Sequence, residues 1–311
     1  MSEVNVVLGY PASGKSTVTK ELIKKGVVAL NRDTEGGTIA SLLPKMEALL
    51  KNGKDIVLDN TFPTIEVRKP FIELAKKYNA DISCTLMSTS IEDAQFNVVQ
   101  RAIQLIGKFP TPEAIKAAKH TNIFPPTVLF KYKKEFQKPT VEEGFSKVET
   151  HKFVRKVNPE FINKAIIVDY DGTLRECVGG NDKYPVAKDQ IELKAGRTKV
   201  LQAYKDKGYI LLGLSNQSGV AKGELSEQTA IELFDHTNKL LGIDIEYRFC
   251  PHQSAPISCY CRKPMSGVGV EFILKHKLNA KETIFVGDMT TDKTFAQRAG
   301  FQYIDQAEFF K

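Results

Sequence analysis

Three groups of residues in this sequence have the types and spacing that chemistry needs. Gly9-Tyr10-Pro11-Ala12-Ser13-Gly14-Lys15-Ser16 fits the pattern G-x-x-x-x-G-K-[ST]. Such glycines let backbone N–H groups turn onto phosphate oxygens, and the helix that follows adds a favourable dipole. Lys15 brings a cation to the β and γ phosphates, Ser16 offers its hydroxyl to Mg²⁺, and Gly9, Ser13, Gly14 and Thr17 complete the expected ATP cradle. Asn31-Arg32-Asp33-Thr34 and Asp59-Asn60-Thr61 each close an apolar run. Asp33 is expected to take the proton of an attacking hydroxyl, with the N-cap of the next helix as its plainer alternative. Arg32 is expected to touch the substrate, Asp59 to support Mg²⁺, and Arg101 to reach the γ-phosphate from a helix that begins near Ser90.

The second group starts at Asp169-Tyr170-Asp171-Gly172-Thr173-Leu174. Two carboxylates two residues apart at a strand end can face one phosphate. Asp169 would attack phosphorus, and Asp171 would protonate the leaving oxygen and then activate water. Ser215, in Ser215-Asn216-Gln217-Ser218-Gly219, and Lys263 would hold the phosphate, with Asn216 and Arg262 also on the substrate. Asp169, Asp171, Asp288 and Asp292 are the expected Mg²⁺ ligands, the last two from Gly287-Asp288-Met289-Thr290-Thr291-Asp292. A calcium loop would need further oxygen ligands close by, and the sequence lacks them. The third group is Cys250-x-His252 with Cys259-x-Cys261, three thiols and one imidazole within twelve residues. That set suits a closed, structural Zn²⁺ site, set directly before Arg262-Lys263 so that the metal fixes the loop carrying the lysine.

Positioning these groups requires strand ends. Apolar runs alternate with amphipathic stretches throughout, so a parallel sheet covered on both faces is expected in each half. In the first half strands are expected at Val4–Leu8, Val27–Leu30, Ile56–Leu58 and Ile82–Met87. Helices are expected over 15–25, from the second strand to Lys51, up to Tyr78, and from Ser90, where Asp93 completes a capping pattern. Pro110, Pro112, Pro125 and Pro126 break the periodicity around a short helix at 113–119, as in a lid, and a last helix covers 127–137. The polar stretch His151–Pro159 reads as a linker. In the second half strands are expected at Ala165–Val168, Tyr209–Leu214, Ile243–Phe249, Thr283–Val286 and 301–304, with helices between. The fold class is therefore α/β, with two doubly wound parallel-sheet domains at 1–155 and 156–311. The interval between Thr173 and the helix near 196 is too short for a large cap.

Composition bounds the rest. The 311 residues are 42% hydrophobic and 26% charged, which suits two globular domains and excludes a disordered, collagen-like or coiled-coil chain. No apolar run approaches the roughly 18 residues of a membrane helix, so no membrane partner is expected. The N-terminus lacks the pattern of a secretory signal, and five cysteines, three of them clustered, do not make a disulfide framework. An intracellular, soluble protein of cytoplasm or nucleus is expected. The net charge of +7 lies entirely in the first half: residues 1–157 hold 24 basic and 17 acidic side chains, residues 158–311 hold 20 of each. Residues 108–156 alone hold 11 basic and 5 acidic, which suits a polyanionic partner or a solvated lysine face.

GYPASGKST, ALNRDT, IVLDNT, the Asn97…Arg101 helix and the stretch from Tyr132 to Phe145 resemble the kinase domain of polynucleotide kinase-phosphatases. The likeness covers 1–155 and implies transfer of the ATP γ-phosphate to a 5′-hydroxyl, with Asp33 activating the hydroxyl and Arg101 on the phosphates. Val98 stands where that family's helix carries a second asparagine. The four pieces of the second half resemble the haloacid-dehalogenase phosphatases. Cys-Pro-His…Cys-x-Cys-Arg-Lys-Pro together with Ser-Asn-Gln-Ser-Gly-Val is similar to the histidinol-phosphate and heptose-bisphosphate branch. The kinase-first order matches phage-type end-healing enzymes. The resemblance thus implies a bifunctional enzyme of DNA or RNA repair that phosphorylates 5′-OH ends and removes 3′-phosphates. A nucleic acid is the expected partner and a ligase a further one, with self-association left open. A metabolic kinase-phosphatase for sugars or other small phosphorylated metabolites is the alternative.

Overall fold

The computed structural model describes residues 1–179 and 184–311. Contacts divide them into two compact units, Met1–Val98 with Lys119–Lys156, and Val99–Ala118 with Val157–Lys311.

The first unit is built on β1 (Glu3–Leu8), α1 (Lys15–Lys24), β2 (Val28–Leu30), α2 (Arg32–Glu35), α3 (Leu43–Lys51), β3 (Ile56–Asp59), α4 (Ile65–Lys77), β4 (Asp81–Met87) and the first half of α5 (Ile91–Ile106), whose residues from Val99 on group with the second unit. After α5 come α6 (Pro112–Ala118), α7 (Pro126–Glu135) and β5 (Lys147–His151). The five strands form one sheet in the order β2-β3-β1-β4-β5, every pair parallel. Strands covered on both faces should be apolar along their whole length. Val6, Val7 and Leu8 of β1 and all of β3 are buried accordingly. The sheet's winding reverses between β1 and β4, and the crevice at such a reversal is where ligands bind.

The single helix expected between β2 and Lys51 is broken. Gly36 and Gly37 take φ of 75° and 78°, so α2 ends after one turn and the chain re-enters a helix only at α3. β5 escapes the periodicity because it is an edge strand whose side chains are almost all exposed. The polar stretch read as a linker starts within β5 and stays attached to the first unit for several residues. Phe153 N donates to Ser88 Oγ at 3.1 Å, and Arg155 pairs with Asp93 at 2.7 Å. The capping pattern at Ser90 is present: Ser90 Oγ accepts from Asp93 N at 3.0 Å. Arg68 and Glu143 form a buried two-pronged ion pair, 2.7 Å on each prong, that ties α4 to the turn before β5.

The second unit holds β6 (Ala165–Val168), β7 (Arg175–Cys177), β8 (Ile191–Leu193), α8 (Arg197–Asp206), β9 (Ile210–Asn216), α9 (Ser218–Lys222), α10 (Glu227–Leu241) and β10 (Glu246–Cys250). It closes with α11 (Gly267–His276), β11 (Ile284–Gly287), α12 (Thr290–Ala299) and β12 (Gln302–Asp305). Five parallel strands run β10-β9-β6-β11-β12, with fully buried β6 at the centre. The winding reverses between β6 and β11, the two strands that end on Asp169 and Asp288. The described part of the insertion after Asp171 carries the small antiparallel pair β7–β8 and one 3-10 turn at Lys188–Gln190. α6, from the proline-rich stretch expected to act as a lid, groups with this unit.

Candidate active sites

The phosphate cradle follows β1. Gly9 takes φ of +149°, and a Cβ there would lie 2.9 Å from Met87 Cβ and 3.1 Å from Ser13 Oγ, so only glycine fits. Gly14, at φ +88°, is the N-cap of α1. Lys15 is buried and its ammonium donates to Gly9 O at 3.2 Å and Tyr10 O at 2.8 Å, which holds it over the loop. Ser16 and Thr17 start α1. Asp59 is buried at the end of β3, its Oδ2 accepting from Thr19 Oγ1 at 3.0 Å. Burial raises the Asp59 pKa, while Lys15 and the Thr19 hydrogen bond pull it down. Asn97 Nδ2 donates to Ala12 O at 2.8 Å and so ties α5 to the loop. Arg101 lies one helical turn beyond Asn97. Val98 is fully buried, so the position that departs from the resemblance is a packing position.

Asp33 is not the helix cap. Asn31 caps α2, its Oδ1 accepting from Asp33 N at 2.6 Å, and Asp33 sits in the first turn with its carboxylate 3.1 Å from Arg32. Arg32 N in turn donates to Asn60 Oδ1 at 3.1 Å, so the DNT turn positions the NRDT turn. Thr19, Asn31 and Asn60 were not foreseen as parts of the site. Asn31 and Asn60 stood inside quoted motifs, whereas Thr19 is found only through α1, one turn beyond Lys15.

In the second unit Asp169, Asp171, Ser215, Asn216, Arg262, Lys263 and Asp292 line one cleft of about 560 Å³, while Asp288 lines a smaller cavity beside Asp171. Lys263 Nζ lies 2.6 Å from Asp169 Oδ1 and 2.7 Å from Asp292 Oδ1 and donates to Leu214 O at 3.0 Å. All three charged side chains are buried. Burial raises the Asp169 pKa, Asp292 and Asp171 add to it, and Lys263 opposes them. Burial works against the Lys263 ammonium, but the two carboxylates outweigh it and raise its pKa. Ser215 Oγ, at the end of β9, accepts from Gln217 Nε2 at 3.1 Å.

Asp169, Asp288 and Asp292 bring carboxylate oxygens within 4.8 Å of one another. Gly172, at φ +85°, lies against this trio, and a Cβ there would run into the Asp288 carboxylate. A set of oxygens in such a cradle fits a hard cation such as Mg²⁺. Asp171, expected as a fourth ligand, stands outside it. Its Oδ1 accepts from Arg175 Nε at 2.8 Å and its Oδ2 from Gln217 Nε2 at 2.7 Å. Arg175 is itself buried and anchored on Leu233 O and Thr237 Oγ1, each at 2.7 Å. A carboxylate held this way is oriented for proton transfer. Arg175 and Gln217 were missed as site residues: the first directly follows the Asp169–Leu174 motif, and the second lies inside the Ser215–Gly219 motif but was unassigned.

Asn216 holds Lys263 from behind rather than facing the cleft alone: its Nδ2 donates to Lys263 O at 3.1 Å and its Oδ1 accepts from Lys263 N at 3.0 Å. Arg262 lines the cleft and donates to His252 O at 3.0 Å. Cys250, His252, Cys259 and Cys261 converge immediately beside it. Their separations are 3.7 Å from Cys250 Sγ to Cys259 Sγ, 3.5 Å from Cys250 Sγ to His252 Nδ1 and 3.3 Å from Cys261 Sγ to His252 Nδ1. Bonds of about 2.3 Å to sulfur and about 2.1 Å to nitrogen in a tetrahedron give edges of about 3.8 and about 3.6 Å, so these donors match a zinc tetrahedron.

Residues 164–310 match the family described as Polynucleotide kinase 3 phosphatase. A stretch of 149 residues is 36% identical to a bifunctional polynucleotide phosphatase/kinase of Schizosaccharomyces pombe, covering 47% of this chain and 33% of that protein. The chain thus spans about a third of the length of that curated relative. Over 140 residues it is 34% identical to a D-glycero-beta-D-manno-heptose-1,7-bisphosphate 7-phosphatase of Haemophilus influenzae, covering 42% of this chain and 74% of that enzyme. A solved chain of the Pnkp1/Rnl/Hen1 RNA repair complex aligns over 98% of this chain and 95% of its own length, at 20% identity and a TM-score of 0.34. The second half of the chain thus matches the Polynucleotide kinase 3 phosphatase family over residues 164–310, and it is similar in sequence both to a bifunctional polynucleotide phosphatase/kinase and to heptose-bisphosphate phosphatases.

Proposed function

We propose that the protein is a bifunctional nucleic-acid end-healing enzyme, with an ATP-dependent 5′-hydroxyl kinase in residues 1–155 and a 3′-phosphatase in residues 156–311. The observation that carries the reading is the pairing of an intact phosphate cradle around Lys15 with an intact Asp169–Lys263–Asp292 cluster in a chain whose second half matches the Polynucleotide kinase 3 phosphatase family. In the kinase, Lys15 balances charge on the ATP phosphates, Ser16 and Asp59 are the residues that would hold Mg²⁺, and Arg101 serves the transferred group. Asp33 takes the proton of the 5′-hydroxyl as that oxygen bonds to the γ-phosphorus and ADP leaves. Arg32 keeps the Asp33 carboxylate in place.

In the phosphatase, Asp169 attacks phosphorus and the bond to the 3′-oxygen breaks as Asp171 gives that oxygen its proton. Asp171 then takes a proton from water, whose oxygen displaces the Asp169 carboxylate and frees phosphate. Ser215 and Lys263 bind the phosphate oxygens. Asp169, Asp288 and Asp292 would hold Mg²⁺, whose charge lets an anionic carboxylate approach an anionic ester. The three cysteines and His252 would hold Zn²⁺ in a structural role, since no donor position is left for a substrate. The basic excess of 108–156 supports a nucleic-acid substrate, and a ligase is the natural consumer of ends carrying 5′-phosphate and 3′-hydroxyl. A sugar-bisphosphate substrate for the second half is the competing reading, favoured by the 34% identity to the Haemophilus enzyme.

An oligonucleotide with a 5′-OH and a 3′-phosphate, incubated with Mg²⁺ and γ-labelled ATP, tests the proposal. Label gained at the 5′ end and lost in Lys15→Ala, with 3′-phosphate removed only while Asp169 is intact, is the expected result. A 3′-phosphate that survives while a sugar bisphosphate is hydrolysed would transfer the second half to the competing reading.

A further inference from the structure

The cleft that holds Asp169 is too large for phosphate alone. At about 560 Å³ it lies within the roughly 300–1,000 Å³ of pockets that enclose a drug-sized ligand. Its floor is polar and charged, and its mouth sets exposed apolar side chains among polar ones such as Gln253 and Ser254. Tyr184, Val186, Ile257 and Met289 all line it, and they are 46%, 37%, 42% and 45% exposed. These side chains come from three separate segments: the stretch between β7 and β8, the Cys/His loop, and the turn after β11. Tyr184 and Met289 also line a smaller cavity of about 250 Å³ that reaches Asp171 and Asp288, so they stand between the reacting groups and the open cleft. Two cations share the same wall, Arg262 from the Cys/His loop and Lys222 at the end of α9, the latter 3.5 Å from Glu224. A small polar phosphate ester covers little of a surface that four exposed apolar side chains contribute to. A nucleobase has a π-face for an aromatic ring and an apolar body for the aliphatic side chains, and the next backbone phosphate needs a cation.

We propose that this mouth is a base-reading subsite for the terminal nucleotide. The base lies against Tyr184, Ile257 and Met289, and Arg262 with Lys222 takes the preceding phosphate. The assignment rests on the end-healing reading and sharpens it, because it makes the phosphatase select a nucleotide end over a small polar phosphate ester.

The test compares kcat/KM on three substrates: a 3′-phosphorylated oligonucleotide, the same oligonucleotide with an abasic terminal residue, and glycerol phosphate. Tyr184→Ala with Ile257→Ala should lower kcat/KM on the first about tenfold, the scale of one base–aromatic contact. It should leave the abasic oligonucleotide and glycerol phosphate unchanged, and Tyr184→Phe should retain the normal value. Lys222→Gln should weaken the salt dependence of KM for the oligonucleotides only. Equal losses on all three substrates, or none on the first, overturn the subsite while leaving the end-healing reading intact. Absence of any oligonucleotide turnover by the unaltered enzyme, with glycerol phosphate still hydrolysed, would instead overturn the end-healing reading and the subsite with it.

Discussion

The two sites handle the same chemical group with opposite materials. The cradle after β1 is made of backbone: a run of eight residues, two glycines in conformations that side chains resist, and one lysine held by carbonyl oxygens of its own loop. The phosphatase cleft is made of side chains delivered by the ends of β6, β9 and β11 and by the Cys/His loop, then locked by buried ion pairs. A backbone site depends chiefly on its glycines, its lysine and the Ser16 hydroxyl, and its other side chains are free to vary. A side-chain site depends on every brace behind the reacting groups, and its failures should spread further from the chemistry.

The largest expected effect separates the two activities. Asp169→Asn should lower 3′-phosphate release by on the order of 10⁴-fold, the scale of losing a covalent nucleophile, and leave 5′ labelling untouched. Lys15→Ala should do the reverse, with a loss of about 10²–10³-fold in labelling. A fall in both activities from either change would break the comparison. Next comes metal removal. Stripping zinc with a chelator, or Cys259→Ser, should abolish phosphatase turnover and lower the thermal midpoint of the second unit while the kinase persists. Phosphatase activity unchanged after metal analysis shows no zinc would remove the loop from the site's support.

A smaller effect is expected from the braces. Asn216→Ala removes both hydrogen bonds to the Lys263 backbone and should cost roughly 1–3 kcal/mol in phosphate-ester turnover, read as a lower kcat/KM with the fold retained. Gly9→Ala tests the other side: at φ +149° and against Met87 it should destabilise the first unit by roughly 1–3 kcal/mol and weaken ATP binding, both measurable by thermal shift with and without nucleotide. The smallest effect concerns Asp59. Its folded pKa is raised above the unfolded value, so the buried carboxylate costs stability once pH exceeds that raised pKa, and the cost vanishes in acid. Asp59→Asn should therefore raise the midpoint of the unliganded protein at neutral pH, give no gain at acid pH, and still lose kinase activity.

The legibility of the two sites followed from the same contrast. The cradle, Asp33, Asp59 and the Asp169 motif were visible because their geometry is set within a few residues. Both parallel sheets were visible too, since buried strands such as β3 and β6 are apolar throughout. β5 was not, because an exposed edge strand carries no apolar signature. The groups that orient Asp171 were hidden for another reason. Arg175 becomes an orienting residue only when α10 supplies Leu233 O and Thr237 Oγ1, some sixty positions later. The exclusion of Asp171 from the carboxylate trio follows from the same contacts.

The buried pair of Arg68 and Glu143 bears on how the protein is made. α4 emerges from the ribosome about seventy residues before the carboxylate that neutralises its arginine. Until then Arg68 can take its native place only as an uncompensated buried cation, a burden of about 3–5 kcal/mol. The first unit therefore cannot settle while it is being synthesised. The unit is expected to close once the turn at Thr140–Phe145 and the edge strand after it have been delivered, and a chain cut after Lys138 should show a lower thermal midpoint than the full unit.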